Sequence, residues 1–339
     1  MNNNMKKVVV FGATGTIGAY ATMELKKAGY EVIAIGRRRS DNGFFAAYGI
    51  KYICLDISKA DSFLSLPKEV YAVIHLAGAI PARMQGYFPQ EYIDSIMIGT
   101  LNVLNYSISA HTDRIVFAQS IADVLYLYGN NALIPVDAER RFPLNCDHSV
   151  YSICKNAAVD LVEHYYAKYG LKRFVLRFPN IYVYHPNPYY YLDGKKRWQS
   201  YRYLIEKAKS GEDIELWGNP ELKRDIVYVK DCVQVIIKSI EAPTDGGMYN
   251  VGTGIGTSMR EQIECMIDVF SPKYHQSKII ECPDKPDSVS YIIDISKTQK
   301  ELGYRPQYTY RKYLLDMKSE MENEPFKQLW GSTTEYMES

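Results

Sequence analysis

The chain has 339 residues and a formal net charge of +1, enough length to bury a large core and too even a charge balance to favour nucleic acid or an anionic membrane surface. Its six cysteines (54, 146, 154, 232, 265 and 282) show no C-x-x-C spacing, so a thiolate metal site is excluded and reduced, packed thiols of a cytoplasmic protein are expected. Met1 to Lys7 is polar and the next apolar stretch breaks at Gly12, which gives neither a signal-peptide core nor a membrane span.

The predicted elements alternate. Val8-Val9-Val10-Phe11 is a β-branched run entering a glycine turn, and Ile17 to Ala28 carries helical spacing until Gly29 stops it. Glu31 to Ile35, Tyr52 to Leu55, Ala72 to Leu76 and Arg114 to Ala118 read as buried strands, with one long helix from Pro89 to Ala110. A helix from His148 to Tyr169 and a strand from Arg173 to Arg177 follow. Strands alternating with helices predict a doubly wound parallel α/β sheet, a Rossmann fold, because parallel neighbours need crossover connections.

After Asn180 the texture changes: Pro186, Pro188, Tyr189-Tyr190-Tyr191 and Gly194-Lys195-Lys196-Arg197 interrupt the alternation. Residues 1–180 are read as a dinucleotide domain and 181–325 as a smaller C-terminal α/β substrate lobe, some of whose segments return to the large sheet; 326–339 is read as a frayed tail. The thirty tyrosines are read as half-buried packing rather than a stacking surface for bases.

Between the first strand and helix stands Gly12-Ala13-Thr14-Gly15-Thr16-Ile17-Gly18. Small residues there let backbone N–H groups, including those of Thr14, Thr16 and Ile17, approach a pyrophosphate at the positive helix end. The second strand ends in Gly36-Arg37-Arg38-Arg39-Ser40, with no carboxylate before Asp41. Guanidiniums at Arg37 and Arg38 pair with a 2′-phosphate, so NADP is favoured and NAD is the alternative. Asp56, followed by Ile57, either meets the adenine amino group or starts the next turn as a cap.

Tyr151 and Lys155 are four residues apart on the predicted helix and so share a face. An ammonium beside the phenol would lower a pKa that starts at about 10, letting Tyr151 take a proton while a neighbouring nicotinamide takes a hydride.

These motifs resemble the extended short-chain dehydrogenase/reductase family, in its NAD(P)-dependent nucleotide-sugar epimerase/dehydratase branch. The resemblance spans nearly the whole chain. It rests on the loop at 12–18, His75-Leu76-Ala77-Gly78, Ser120, Tyr151-x-x-x-Lys155, Leu176-Arg177-Phe178-Pro179-Asn180-Ile181-Tyr182, Arg224-Asp225-Ile226-Val227-Tyr228-Val229, Tyr249-Asn250-Val251-Gly252 and Leu302-Gly303-Tyr304-Arg305-Pro306. It implies that Tyr151 is the acid/base, that Lys155 also binds the nicotinamide ribose, and that Ser120 holds the reacting sugar oxygen. It further implies cofactor contacts from Leu76, Ala77, Gly78 and Pro179, substrate contacts from Asn180, Trp217 and Arg224, and a homodimer. Arg224 and Asp225 could instead form an ion pair at a strand start.

Departures from the pattern narrow the reaction. Ser120-Ile121-Ala122 replaces the Thr-Asp-Glu usual in dehydratases, which disfavours dehydration. Tyr128-Gly129 comes three residues late, implying a longer loop over the nicotinamide. Near 284 the chain offers Lys285 where a second phosphate-binding arginine is expected. The expected activity is therefore that of an epimerase or a 4-keto-sugar reductase acting on a nucleotide-diphosphate sugar. The alternatives are a reductase or dehydrogenase of a non-nucleotide secondary alcohol, or a non-catalytic dinucleotide-binding subunit.

Overall fold

The computed structural model describes residues 5–130, 132–146 and 148–337. Seven parallel strands form the main sheet: β1 Lys7–Phe11, β2 Glu31–Gly36, β3 Lys51–Cys54, β4 Ala72–His75, β5 Arg114–Ser120, β6 Lys172–Phe178 and β7 Gly246–Asn250. Their spatial order is β7-β6-β5-β4-β1-β2-β3, with Val10 opposite Ala34 and Ile74, and Phe117 opposite Val175. The strands are apolar nearly throughout because both faces are covered. Val8 and Val10 enter one core, whereas Val9 and Phe11 enter the other. This is the doubly wound α/β sheet expected from the alternation.

The order of connections reverses between β1 and β4, which opens a crevice at the carboxyl ends of those strands. Helix α1, Thr16–Lys27, begins at that crevice and ends before Gly29, whose φ of +88° ends the turn. The predicted helix from Pro89 is interrupted. A short helix, Pro89–Tyr92, passes through a π-helical turn, Ile93–Ile98, into α2, Gly99–Ser109. The wide turn re-aims the side chains before it, and the Tyr92 ring meets Tyr151 edge-on at 5.7 Å. Helix α3, Ser149–Tyr169, ends at Gly170 with φ +72°.

The lobe after Asn180 contains α4, Ser200–Ser210, and α6, Met259–Phe270, the latter started by a Ser258/Glu261 capping box. Two segments do return to the large sheet. Helix α5, Val229–Glu241, buries Cys232, Val233, Val235 and Ile236 and packs on α1, and β7 extends the sheet beside β6.

Two expectations are corrected. The segment from 326 is not frayed: Phe326, Leu329 and Trp330 follow α7, Tyr310–Asn323, and are 6%, 1% and 3% exposed. They pack on Tyr20 and Phe44 at ring distances of 4.6 to 6.2 Å, because aromatic burial outweighs the ordering of a short terminal segment. The last two residues of that predicted tail lie outside the described residues. The cysteines are free, but Cys54 and Cys146 are exposed rather than packed. No helix among the described residues is long and apolar enough to cross a membrane, and no group of metal-binding side chains occurs among them.

Candidate active site

The glycine loop is shaped by close backbone approach. Gly12 has φ +87°, and a Cβ there would sit 2.8 Å from the Ala77 nitrogen; a Cβ on Gly18 would come within 2.0 Å of the Gly12 carbonyl. Side chains would therefore push β4, the loop and α1 apart. No side chain caps the first turn of α1, so its N–H groups remain directed at the crevice. The residues thus fit a pyrophosphate; Leu76 and Ala77 flank the same loop from the end of β4, and Gly78 after them faces Ile96.

At the end of β2, a side chain on Gly36 would run into Thr14 Oγ1 at 2.8 Å and the Tyr52 hydroxyl at 3.0 Å. That packing excludes a carboxylate at the position. Asp41, the first acid afterwards, is 8% exposed and accepts from the Phe45 and Gly43 backbone N–H groups. Arg37 and Arg38 are exposed, but Arg38 Nη1 also donates to the Leu329 carbonyl at 2.7 Å. Asp56 Oδ1 accepts from Ser58 N and Oγ at 3.0 and 2.9 Å, a local Asx turn, and no side chain caps the 3-10 helix Ala60–Ser65 that follows. Ile57 is buried, its carbonyl held by Asn102 Nδ2 at 2.8 Å.

The residues expected to be catalytic come together at the carboxyl end of β5. Ser120 is the last residue of that strand, Tyr151 and Lys155 come from α3, and the Ser120 hydroxyl hydrogen-bonds the Tyr151 side chain. Tyr151 and Lys155 are 8% and 7% exposed. Here the expected electrostatics are corrected. Burial pushes the Tyr151 phenol above its ordinary value; the Ser120 hydrogen bond pulls it partly back, and the charge of Asp123 adds to the rise. Lys155 does not offset this, because its Nζ donates to the Ala118 carbonyl at 2.6 Å, and burial brings the amine down to about 8. Sharing a helix face was necessary for a Tyr–Lys contact but not sufficient.

Asp123 was not anticipated as part of this region. It pairs with Arg177 at 3.0 Å with both side chains almost fully buried, joining the turn after β5 to β6. The residues between Ser120 and Tyr128 form two 3-10 turns, Ile121–Asp123 and Leu125–Leu127. They carry Tyr128 onto Tyr291, stacked at 4.3 Å and 8°.

That stack lies beside Arg224. The guanidinium donates from Nε to the Val289 carbonyl at 3.2 Å and to Tyr182. Burial opposes its charge, but Tyr182, Tyr291 and Tyr128 hold its pKa above the ordinary value. The alternative Arg224–Asp225 ion pair is not formed: Asp225 binds Thr253, Gly254 N and Ile293 N instead. Arg224 thus has no carboxylate partner among the described residues. Trp217 is 47% exposed, with Lys285 Nζ 5.5 Å from its ring centroid. Pro179 is buried and Asn180 exposed just beyond β6.

Two further features escaped sequence reasoning. Trp330 Nε1 donates to the Thr14 carbonyl of the glycine loop at 3.0 Å. The i, i+3, i+4 spacing of Phe326, Leu329 and Trp330 was its only signal. The Tyr128–Tyr291 stack had none, since it joins distant segments.

The model of the NAD dependent epimerase/dehydratase family matches residues 8–252. A putative UDP-glucose 4-epimerase of Methanocaldococcus jannaschii is 25% identical over 319 residues, covering 93% of this chain and 98% of that protein. The UDP-glucose 4-epimerase of Rhizobium meliloti is 25% identical over 334 residues, covering 91% and 93%. Among solved structures, UDP-glucose 4-epimerase from Thermotoga maritima with UDP-glucose superposes with a TM-score of 0.73 at 22% identity, over 94% of this chain and 99% of that one. UDP-glucuronic acid 4-epimerase from Bacillus cereus with NAD gives 0.71 at 19% identity, over 96% and 99%. These structures share the fold.

Proposed function

Because this chain belongs to the NAD dependent epimerase/dehydratase family, we propose that it is an NAD(P)-dependent 4-epimerase of a nucleotide-diphosphate sugar, with UDP the favoured nucleotide. The observation that carries the reading is the convergence of Ser120 and the Tyr151 hydroxyl, with Lys155 one turn further along the same helix. They lie at the strand ends where an open α/β sheet binds its ligands. A bound nicotinamide supplies the hydride acceptor and donor.

The protein groups do the rest. Tyr151 Oη, as the phenolate, takes the proton of the sugar hydroxyl and returns it, while the Ser120 hydroxyl hydrogen-bonds the same oxygen where charge develops. Burial keeps the phenol protonated in the cofactor-free protein, so its pKa has to come down under the positive charge of a bound oxidised nicotinamide. Lys155 binds the cofactor ribose. Arg224, without a carboxylate of its own, clamps the diphosphate bidentately, and Trp217, Lys285 and Asn180 form the remainder of the substrate site.

NADP is the favoured cofactor, supported by the packing that keeps a carboxylate off Gly36 and by Arg37 and Arg38 beside it. The same arginines favour the second reading, a 4-keto-sugar reductase that releases its oxidised cofactor. A homodimer completes the proposal, with Ile98 and Ile153, 41% and 43% exposed, as apolar surface near the two helices α2 and α3; light scattering tests it.

The decisive experiment incubates the protein and cofactor with a panel of nucleotide sugars. Interconversion of C4 epimers without net change in absorbance at the reduced-nicotinamide band is expected, and stoichiometric oxidation of NADPH would establish the reductase instead. Tyr151→Phe should abolish turnover and leave cofactor affinity within about threefold, since only the proton-transferring hydroxyl is lost. Retained activity in that variant would remove Tyr151 from the mechanism.

A further inference from the structure

After α7 the chain reverses at Glu324, φ +42°, and enters two short helices, α8 Lys327–Trp330 and α9 Thr333–Met337. This segment touches three separate regions. To the glycine loop it gives the buried bond from Trp330 Nε1 to the Thr14 carbonyl, 3.0 Å. To the loop after β2 it gives the Leu329 carbonyl as acceptor for Arg38. It also gives a reciprocal pair in which Asn42 Nδ2 donates to the Gln328 carbonyl at 2.9 Å and Gln328 Nε2 donates to the Asn42 carbonyl at 2.7 Å. To the substrate lobe it gives the Trp330 ring, 4.6 Å from His185, and Thr333, whose hydroxyl is 3.3 Å from that of Tyr184. Tyr336 then hydrogen-bonds back to the Trp330 carbonyl at 2.8 Å.

The junction gathers three arginines, with the carboxylates of Glu324 and Glu335 turned to Tyr184 and Ser332. Arg38, Arg83 and Arg202 surround the buried His185, and with burial they hold its imidazole down at about 3, so it contributes no cation of its own. Their guanidiniums donate to main-chain carbonyls, those of Leu329, Tyr189 and His185, and none forms an ion pair among the described residues. Three arginines without ion-pair partners among the described residues stand at the meeting of the loop after β2 and the substrate lobe.

We propose that residues 326–336 are a clasp on the dinucleotide, with Trp330 as the positioning residue that fixes the Thr14 peptide and thereby the glycine loop. The inference rests on the reading that this loop binds NAD(P), and it deepens that reading by assigning the slow step of cofactor exchange to this segment. The physical basis is ordering. A loop of small residues loses backbone freedom on binding, roughly 1–2 kcal/mol per residue. Holding it beforehand lowers that cost and slows release. A clasp also joins the loop to the substrate lobe, so the dinucleotide leaves only after Trp330 parts from one side or the other. Retention suits an enzyme that reoxidises its cofactor in place and hinders one that must release it each turn, so the clasp favours the epimerase over the reductase.

The test measures dissociation of NADH and NADPH from the full-length protein by stopped-flow fluorescence, chasing with the oxidised form. Trp330→Phe keeps a ring against Phe326 and His185, removes the indole donor and leaves a cavity where the larger ring stood. It should release the reduced cofactor at least fivefold faster while affinity for UDP stays at the wild-type value, and the urea midpoint of the cofactor-free protein falls as expected for lost buried volume. Gln328→Ala, at an exposed position, removes the side-chain bond to the Asn42 carbonyl, leaves the Asn42 bond to the residue-328 carbonyl in place and does not touch the core; it should speed release two- to threefold and carries the test alone if Trp330→Phe does not fold. Wild-type release rates in the folded variants would overturn the clasp and leave the proposed function standing. A wild-type protein that binds neither NADH nor NADPH would overturn both.

Discussion

Lys155 shows how burial and function pull on one side chain. Its amine titrates at about 8 in the folded protein, against 10.5 for the free group. Between those values the unfolded chain binds more protons, so this residue makes stability rise with pH there and leaves its full penalty in place below pH 8. Relative to Lys155→Met, the wild-type protein should gain roughly 2 kcal/mol between pH 8 and 10, read from urea unfolding at each pH; parallel pH profiles for the two proteins would refute the shift. Arg224 is the opposite case, a charge supported by tyrosine hydroxyls. Arg224→Ala should weaken UDP binding by roughly ten- to a hundredfold, as expected for charge-assisted hydrogen bonds of about 1.5–3 kcal/mol. Arg224→Lys should recover part of the loss, since a point charge cannot reproduce the fork. Titration calorimetry on the cofactor-loaded protein checks both, and undiminished UDP binding by the alanine variant would take Arg224 out of the site. Tyr151 and Lys155 stood out as a candidate pair because their spacing is local, whereas Ser120, 31 positions earlier, was pointed to only by the family resemblance. The direction of the Tyr151 shift was not, because it depends on how deeply α3 packs and on Asp123, 28 positions away in sequence.

At the scale of elements, the turn after β5 is held by a long-range ion pair as well as by its own Ser120 cap. Asp123 and Arg177 meet at 3.0 Å in a nearly dry setting, with the Val136 carbonyl and Asn250 Oδ1 also bound to Arg177. Removing one partner strands the other. Asp123→Ala should therefore destabilise the protein by about 3–5 kcal/mol and displace Ser120, lowering kcat beyond what the stability loss explains. A denaturation midpoint within error of wild type would show that Arg177 has found another acceptor. The strand and helix sequence was readable to within a residue or two because both periods were clean. The π-helical turn at Ile93–Ile98 was invisible, since one widened turn leaves the apolar spacing of Pro89 to Ala110 nearly unchanged. The role of the terminal segment was invisible for another reason: its bond to Thr14 spans 316 positions, and no local pattern reports such a partner.

For the whole molecule, the proposed cofactor choice rests on the place where three parts of the chain meet: the glycine loop, the arginines after β2, and α8. Replacing Arg37 and Arg38 with serine should weaken NADP more than NAD, because only NADP carries the 2′-phosphate. Reading the ratio of the two dissociation constants cancels any effect on α8 common to both. A wild-type protein that prefers NAD by about tenfold or more, roughly 1.4 kcal/mol, would refute the arginine argument. The overall architecture was legible as alternation, but the return of β7 to the edge of the sheet has a consequence for biogenesis. β6 ends at Phe178 and its neighbour begins only at Gly246, after nearly half of the substrate lobe. On a ribosome adding about 5–20 residues each second, the growing sheet therefore waits on the order of ten seconds with one side of β6 unpaired. Such a bare strand is a template for pairing with another nascent chain, so slow translation of the intervening lobe would raise the demand for chaperones.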